Sequence, residues 1–520
     1  MKNRESEYIT DTEEKQWRKR MRKIKGKSLL GVVALVVVAL FAGSAMVFGL
    51  GNGQYRIIPR SDLGMHCACP TWDRFMLLPP YNTLRVQVLK GSSDIDPDVI
   101  TPTNGMTVSY YFSTANETDS YLINQDPYFK SWINNAPLLF PGFQPVVNGQ
   151  VKGISGMGLS GNMVFNPTNV SWENPPGFAG GIPAYPVTTG SSSDIMTDPF
   201  GGPNRTPYLR AIINLKNSSG TVLASTSTTV PVGFGGCCTC HIPLAAQHGY
   251  TADPAGSFQY LGTLHARTSK IDFAKLDPTG RGVGGPIRCS WCHWDPAMGE
   301  NAAPGLPNVW PNYQILPGAN FTKADVRVSS MSFSEVLHKF HTQSSIVTSQ
   351  WDPNIAKNCY DCHPGNNVNC YRDGASHKSL GIWCTDCHGD LNQRVAGGQL
   401  AQPWQQSTLP TCTSAAAGST TVFSCHTNRT YPNSWPGVFG KFLNSRGHMG
   451  SIDCLTCHGS PHALAPSTLA QDNEQNQTVQ GSVVGATYPT GKNSSYPIGV
   501  CDVCHNGRST TWALPPHGGD

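Results

Sequence analysis

The pattern of apolar and polar positions changes along the 520-residue chain, and each change predicts a different kind of structure. From Leu29 to Leu50 the residues are uncharged and mostly aliphatic. A helix needs about 20 apolar residues to cross a bilayer, and this segment is long enough. Apolar and polar residues then alternate in several places up to residue 235, whereas periodicity of either kind is weak beyond it.

Alternation with a period of two predicts half-buried β-strands before residue 235. The turn-like Asn217–Gly220 precedes the β-branched stretch Thr221–Val232, and together they predict a hairpin. Residues 140–205 are rich in glycine and proline and predict loops, and helical periodicity is hard to find. We expect a sandwich of short strands whose last strand runs into Gly235-Gly236. The alternating apolar positions are Leu84, Val86 and Val88; Met106, Val108, Tyr110 and Phe112; and Leu209, Ala211, Ile213 and Leu215.

These parts predict a multidomain fold class with an N-terminal membrane or signal helix, an all-β, sandwich-like domain, and a loop-rich domain with few short helices. One short helix is expected at Phe333–His341. The predicted boundaries are 1–27 for a charged cytoplasmic region, 28–50 for a signal peptide or transmembrane anchor, 55–235 for the β-rich domain and 236–520 for the loop-rich domain.

Charge is concentrated at the amino terminus. Residues 1–27 hold ten Lys/Arg and five Asp/Glu, a balance of +5, so a chain of net charge +4 is close to neutral elsewhere (+4 − 5 = −1). This leaves no basic surface for nucleic acid. Seven basic residues in Arg18–Lys27 predict that the amino terminus stays inside and the rest is exported, to the cell surface or beyond. Gly43-Ser44-Ala45 is a plausible cleavage site, so signal peptide and retained membrane anchor both stay open.

A Cys-x-x-Cys-His sequence occurs six times after residue 236, and it is the attachment site of a c-type haem. The two thiols bind one porphyrin covalently and the adjacent histidine reaches its iron. Six matches use twelve of the eighteen cysteines, which excludes chance. The attachment cysteines are Cys237 and Cys240, Cys289 and Cys292, Cys359 and Cys362, Cys384 and Cys387, Cys454 and Cys457, and Cys501 and Cys504.

A seventh site has an expanded spacing. Cys412 and Cys425 are separated by twelve residues, and His426 follows directly. The small, polar residues between them can form a loop, so that both thiols reach one porphyrin. The alternative is a disulfide between Cys412 and Cys425. We favour seven covalently attached haems, with the proximal iron ligands His241, His293, His363, His388, His426, His458 and His505.

Nine further histidines are available as distal iron ligands. His338 and His341 lie three apart on the predicted helix, so they share a face and can serve two neighbouring haems. His66 is the weakest candidate, and it could instead reach a haem of a neighbouring subunit. The other candidates are His248, His265, His377, His448, His462 and His517.

Iron with two histidine ligands has no open position for substrate, which suits electron transfer rather than catalysis. The supply of histidines therefore predicts an electron-transfer protein with no catalytic residues. One alternative is a multihaem reductase of nitrogen or sulfur oxyanions, which would need an open iron. Another is a membrane-anchored quinol-oxidising electron donor, although such proteins usually place the first haem soon after the anchor and here nearly 190 residues intervene.

Four cysteines remain after haem attachment: Cys67, Cys69, Cys238 and Cys370. They could form two disulfides in three possible pairings, which an exported protein permits. The alternative is a copper site, because Met65, His66, Cys67 and Cys69 offer soft ligands together.

Two stretches resemble the N-terminal β-module of large secreted multihaem cytochromes from metal-reducing prokaryotes: Ser61–Cys67 and Leu78–Leu84. The similarity covers about residues 61–240. In motif density and histidine supply, the carboxyl-terminal half resembles the filament-forming cytochromes, or nanowires, of such organisms. The resemblance implies extracellular electron transfer, other redox proteins or extracellular acceptors as partners, and self-association into filaments.

Overall fold

The computed structural model describes part of the chain, and the structural statements below concern that part. The described residues are 50–61, 66–69, 75–77, 82–93, 96–102, 105–113, 127–140, 142–154, 156–165, 177–185, 187–188, 205–269, 286–289, 333–343, 356–363, 371–372, 377–378, 381–384, 454–464, 467–469, 472 and 503–506. Among them, no helix combines the length and the apolar composition that a bilayer crossing requires. Residues 29–49 of the apolar segment lie outside the described residues.

Seventeen strands and six helices are described. The strands are β1 (Tyr55–Ser61), β2 (His66–Ala68), β3 (Phe75–Met76), β4 (Asn82–Lys90), β5 (Asp98–Ile100), β6 (Thr107–Phe112), β7 (Val146–Val147), β8 (Gln150–Val151), β9 (Ser160–Asn162), β10 (Gly177–Ile182), β11 (Val187–Thr188), β12 (Arg205–Thr206), β13 (Tyr208–Lys216), β14 (Val222–Phe234), β15 (Ile287–Arg288), β16 (Gly459–Ser460) and β17 (Ala463–Leu464). The helices are α1 (Pro127–Leu139), α2 (Cys237–Gln247), α3 (Pro254–Ser269), α4 (Phe333–Gln343), α5 (Ala356–Cys362) and α6 (Cys454–His458).

Two antiparallel ladders carry most of the β-structure. In the first sheet β4 pairs with β1 on one side and with β10 and β5 on the other. The second sheet has the order β2-β14-β13-β6-β9, in which only the short β14–β2 pairing is parallel. The predicted hairpin joins β13 to β14, and its turn is closed by the Asn217 side chain, whose Oδ1 accepts hydrogen bonds from the N–H groups of Ser219 and Thr221. Alternation therefore located β4, β6, β13 and β14 correctly.

A single hydrophobic cluster joins the two sheets. It contains Val86 from β4, Tyr110 from β6, Ile213 from β13 and Val232 from β14, all of them buried. Trp132 of α1 belongs to the same cluster. The inward-facing residues of both sheets and of α1 thus share one core.

The prediction of half-buried strands is wrong for β4, because both of its faces are covered. The inward residue Val88 and the opposite-face residue Leu89 are both fully buried. Leu89 packs with Ile58, Leu50 and Val503, which lies in the last haem motif. The second face of the first sheet therefore receives residues from the carboxyl-terminal end of the chain rather than water.

Helix α1 was not expected from the sequence, and residues 140–205 contain short strands instead of loops alone. Pro127 at the first helical position is favourable, since its fixed φ suits a helix start. Burial stabilises the rest: Phe129 stacks on Trp132 with ring centroids 5.3 Å apart and meets Tyr185 at 5.4 Å. Aromatic packing against distant strands, which local periodicity does not show, accounts for this helix.

The part of the chain after residue 236 contains more helix than expected. The short helix predicted at Phe333–His341 is confirmed as α4, which extends to Gln343. Helices α2 and α3 pack together as a helical hairpin, which periodicity did not predict. Gly249 after α2 adopts a φ of +83°, and its N–H donates to Ala246 O, an arrangement that ends a helix without strain only at glycine.

Candidate haem sites

The first motif begins α2 immediately after the second sheet ends. Strand β14 ends at Phe234, Gly235-Gly236 follow, and Cys237 is the first helical residue. Residues three and four apart share a helix face, so α2 places Cys240 and His241 beside Cys237. Cys240 is exposed and His241 is half-buried. The helix thus places both thiols and the imidazole of this motif on one side, as attachment to a porphyrin would require.

The third motif lies against the first. Helix α5 ends at Cys362, whose carbonyl accepts a 2.7 Å hydrogen bond from the N–H of Gly236. The approach is close: a Cβ on Gly236 would lie 2.3 Å from the backbone oxygen of Asp361. Glycine is therefore required at this position for the two motifs, about 120 residues apart in sequence, to touch.

The thiols of these two motifs lie near one another. Burial, with a smaller contribution from Cys238 and Cys240, raises the pKa of Cys237 to about 11. Burial, assisted by Cys237, Cys240 and Asp361, raises the pKa of Cys362 to about 12. Both thiols stay protonated at neutral pH and so are poor thiolate ligands for a free metal ion, whereas thioether attachment to a porphyrin needs no thiolate in the folded protein.

His341 of α4 faces His241 of the first motif. Their ring centroids are 6.2 Å apart and the ring planes are nearly perpendicular, at 88°. The Nδ1–H of His341 donates to Leu337 O, 2.7 Å away, in the preceding turn of the same helix. This hydrogen bond orients the ring and leaves Nε2 with a free lone pair, as a metal-binding histidine requires.

His338, three residues earlier on α4, faces His363 of the third motif. Their ring centroids are 6.3 Å apart, and here the ring planes lie only 23° from parallel. With metal–nitrogen bonds of about 2.0–2.1 Å and a ring nitrogen about 1.1 Å from its own centroid, two imidazoles on opposite sides of one metal place their centroids about 6.3 Å apart. Both histidine pairs thus have the spacing that an iron between them would need.

The imidazole of His241 is held neutral. Burial, with the nearby His341 as a second cause, lowers its pKa from 6.5 to about 4. A neutral ring has a lone pair to give to iron, so this environment suits a ligand. Among the described residues, no group of three or more His, Cys, Asp or Glu could hold a metal ion by side chains alone. Two imidazoles on opposite sides of a porphyrin iron fit this arrangement.

The sixth of the seven predicted sites in chain order, the motif Cys454–His458, forms α6. The chain continues from it into the β16–β17 hairpin, whose turn contains His462. The first sheet approaches α6 through Arg60, whose Nη1 lies 3.4 Å from Thr456 Oγ1. The N–H of Arg372 donates to the backbone oxygen of His462 at 2.7 Å. His462 is therefore close to its own motif and is tied by its backbone to a segment about 90 residues earlier.

A buried ion pair anchors that segment. Arg372 Nε lies 2.5 Å from Asp472 Oδ2, and Arg372 Nη2 lies 3.2 Å from Asp472 Oδ1. The two side chains are 1% and 9% exposed. The guanidinium also lies 5.9 Å from the ring centroid of Tyr208 on β13. This ion pair links the neighbourhood of the sixth motif to the second sheet.

The last motif docks on the first sheet. Arg56 of β1 donates from Nη1 to the carbonyl of Val503, in a short hydrogen bond. The Nδ1 atom of His505 lies 3.0 Å from Asp96 Oδ1. A carboxylate beside the outer nitrogen of a metal-binding histidine makes the imidazole a stronger donor and favours the oxidised metal.

We expect Asp96→Asn to raise the reduction potential of the haem at His505. The asparagine keeps the side chain's size and removes the negative charge that favours ferric iron. Because Asp96 is largely exposed, the rise should stay within about 60 mV, the equivalent of one tenfold change for a one-electron couple. A potentiometric titration of the holoprotein measures it. Asp98→Asn, an exposed carboxylate two residues away, is the control and should leave every potential unchanged.

Three other predicted distal ligands, His248, His265 and His377, are described through contacts with other groups. His248 ends α2 and stacks on Tyr260, with ring centroids 4.7 Å apart. His265 lies on α3, where burial lowers its pKa despite an opposing backbone hydrogen bond. The backbone carbonyl of His377 accepts a hydrogen bond from the N–H of Ile382 at 2.9 Å. For these three the role of distal ligand stays a prediction.

Cys238 is a buried thiol on α2, with Sγ 3.8 Å from Ser257 Oγ of the adjoining helix α3. Burial raises its pKa to about 11. The pairing of the four cysteines left after haem attachment stays a prediction, because the side chain of Cys67 and all of Cys370 lie outside the described residues.

Other predicted site residues lie outside the described residues, and nothing is concluded for them. They are Cys292, His293, Cys387, His388, Cys412, Cys425, His426, His448, Cys501 and His517, together with Cys370 and the side chains of His66, Cys67 and Cys454. Cys289, Cys384, Cys457 and His458 lie within the described part of the chain.

Sequence reasoning missed three residues at the sites: Gly236, Asp96 and Arg372. The pair Gly235-Gly236 directly before Cys237 was a usable signal, since glycine marks a close backbone approach. Asp96 and Arg372 had no local signal, because their partners His505 and Asp472 lie 100 residues or more away.

Comparison with known proteins gives one coarse result. No protein-family model matches the chain. The chain is 24% identical to the multiheme cytochrome MtrA of Shewanella baltica (strain OS185) over 206 aligned residues. The alignment covers 37% of this chain. The matched part spans 56% of that protein's length. The similarity agrees with the Cys-x-x-Cys-His motifs and supports a multihaem c-type cytochrome.

Proposed function

We propose that this protein is an exported c-type cytochrome that carries electrons through seven covalently attached haems with two histidine ligands each. The observation that carries the proposal is the placement of His338 and His341 on one helix, each at iron-bridging distance from a motif histidine. The similarity to a multiheme cytochrome supports the class. Extracellular electron transfer, with redox proteins or extracellular acceptors as partners and assembly into filaments, is part of the proposal.

The chain's own residues would hold and insulate the cofactors. When bound, each haem supplies an iron that gains or loses one electron. Cys237 and Cys240 would hold the first porphyrin by thioether bonds, and His241 and His341 would approach its iron from opposite sides. The hydrogen bond from His341 to Leu337 keeps that ring in position. Two fixed neutral ligands require no change of ligation or protonation, which suits fast electron transfer.

The same geometry supports a closed iron at two of the proposed sites. A reductase needs an iron with an open position, and the first and third sites each have a second histidine at ligand distance. In the oxidised holoprotein we expect electron paramagnetic resonance to show low-spin haem signals alone. A substantial high-spin signal from intact protein would contradict the proposal and favour the reductase.

The mass of the mature protein should correspond to seven haems. Cys412 and Cys425 can either bind a porphyrin or form a disulfide with each other, so the seventh haem and the disulfide exclude each other. Mass spectrometry of denatured protein, with and without alkylation, distinguishes them, and Cys425→Ala should then remove one haem. A mass for six haems would restrict attachment to the six regular motifs. The same spectrum reports whether residues 1–45 are present.

Filament assembly is tested separately. Electron microscopy of the exported protein should show regular polymers, and images that contain isolated monomers alone would contradict this part of the proposal.

A further inference from the structure

We infer that the haem sites at Cys237–His241 and Cys359–His363 form a directly coupled pair, so that electrons pass straight between the first and third motifs of the chain. The inference rests on the proposed function and adds the spatial order of two sites. It is carried by two observations: one helix supplies a histidine to each site, and the two motifs are joined through their backbones.

Helix α4 sets the distance between the two sites. His338 and His341 are three residues apart, which places their Cβ atoms about 5–6 Å apart on one face. His341 faces His241 and His338 faces His363. Two porphyrins whose irons are bound by such close ligands must lie next to each other, with no room for a third cofactor between them.

The backbones confirm the proximity independently of the histidines. Gly236 donates its N–H to Cys362 O at 2.7 Å, so the residue before the first motif touches the backbone of the third. A Cβ on Gly236 would meet Asp361 O at 2.3 Å, a backbone atom that has no side-chain freedom to move aside. Gly236 thus acts as a spacer that sets how closely the two motifs approach.

The transfer step needs nothing beyond the two irons. One electron leaves the ferrous iron of one site and reduces the ferric iron of the other, so one site is oxidised as the other is reduced. No bond forms or breaks and no proton moves, because each iron keeps two neutral imidazole ligands throughout. The step is reversible, and its direction follows the difference between the two reduction potentials.

The ring geometry gives the two sites different spectra. Perpendicular imidazole planes leave two iron d-orbitals nearly equal in energy, whereas parallel planes separate them. The first site, at 88°, should therefore show a signal with a large, strongly anisotropic g-value, and the third site, at 23°, an ordinary rhombic signal. Each site can be followed by itself in the full protein.

The test uses the oxidised full-length holoprotein and the variant His338→Ala. Loss of this ligand makes the third site high-spin, which is a strong and fast-relaxing magnetic neighbour. We expect the large-g signal of the first site to relax severalfold faster than in the unchanged protein. An unchanged relaxation rate, with all haems attached and the signal present, would overturn the pairing while leaving the proposed electron-transfer function standing. Absence of haem from either motif by mass would instead overturn both.

Two glycine variants provide a matched comparison. Gly236→Ala introduces the 2.3 Å clash, whereas a Cβ on Gly235 meets nothing closer than Cys362 O at 3.6 Å. In the His338→Ala background, Gly236→Ala should weaken the relaxation effect and Gly235→Ala should preserve it. Equal effects of the two variants would contradict the role of Gly236 as spacer. If Gly236→Ala is not produced as holoprotein, the comparison of His338→Ala with the unchanged protein still decides the pairing.

Discussion

We expect the His341→Ala variant of the oxidised holoprotein to convert one haem, that of Cys237–His241, from low-spin to high-spin. His341 is the residue that faces His241 at 6.2 Å, so its removal leaves that iron with a single protein ligand. The large-g signal should disappear and a high-spin signal of one haem should replace it. The reduction potential of the site should rise by on the order of 0.1 V, a fraction of the roughly 0.8 V over which axial ligands tune haem.

The reciprocal variant is the control for this result. His338→Ala lies on the same helix and removes the same side chain, yet it should abolish the rhombic signal of the Cys359–His363 site and leave the large-g signal present. Paramagnetic resonance and potentiometric titration on both variants measure the outcome. If both substitutions altered the same haem, or neither altered any, the assignment of the two histidines would be wrong.

Removing the Arg372 side chain should cause the largest loss of stability. Arg372→Ala leaves the Asp472 carboxylate buried without its bidentate partner. Breaking a buried ion pair in this way costs about 3–5 kcal/mol. Guanidinium unfolding followed by far-ultraviolet circular dichroism, with all haems attached, measures the change in the free energy of unfolding.

Two controls separate the ion pair from general effects. Arg210→Ala removes an exposed arginine on β13 that hydrogen-bonds Ser227 Oγ, and its cost should stay within about 0.5 kcal/mol. The double variant Arg372→Leu with Asp472→Leu replaces both charges by apolar groups and should recover most of the lost stability, because buried pairs often exchange for apolar residues at little cost. A double variant as unstable as Arg372→Ala would show that the arginine acts through packing instead.

The main strands of the β-rich part could be predicted from the local sequence pattern. Strands β4, β6 and β13 follow from alternation, since successive side chains of a strand point to opposite faces. The burial of the second face of β4 and the existence of helix α1 could not be predicted in this way. Leu89 becomes buried through Val503, more than 400 residues later, and α1 is stabilised by aromatic contacts with Tyr185. Both depend on partners that no local window contains.

The candidate sites divide in the same way. The spacing of Cys237, Cys240 and His241 predicts a covalent haem because the chemistry is local: two thiols and an imidazole must reach one porphyrin. The three-residue spacing of His338 and His341 likewise predicts two ligands on one helix face. Neither spacing identifies the partner of each histidine.

The sequence by itself determined the cofactor class, the positions of the attachment residues and the supply of histidines, because each is set by residues within one or two turns of chain. Only the tertiary structure decided that His341 faces His241, that His338 faces His363, and that Gly236 must be glycine for the first and third motifs to meet. The physical reason is that these are contacts between distant segments. They follow from how helices α2, α4 and α5 pack together, which depends on the whole chain at once.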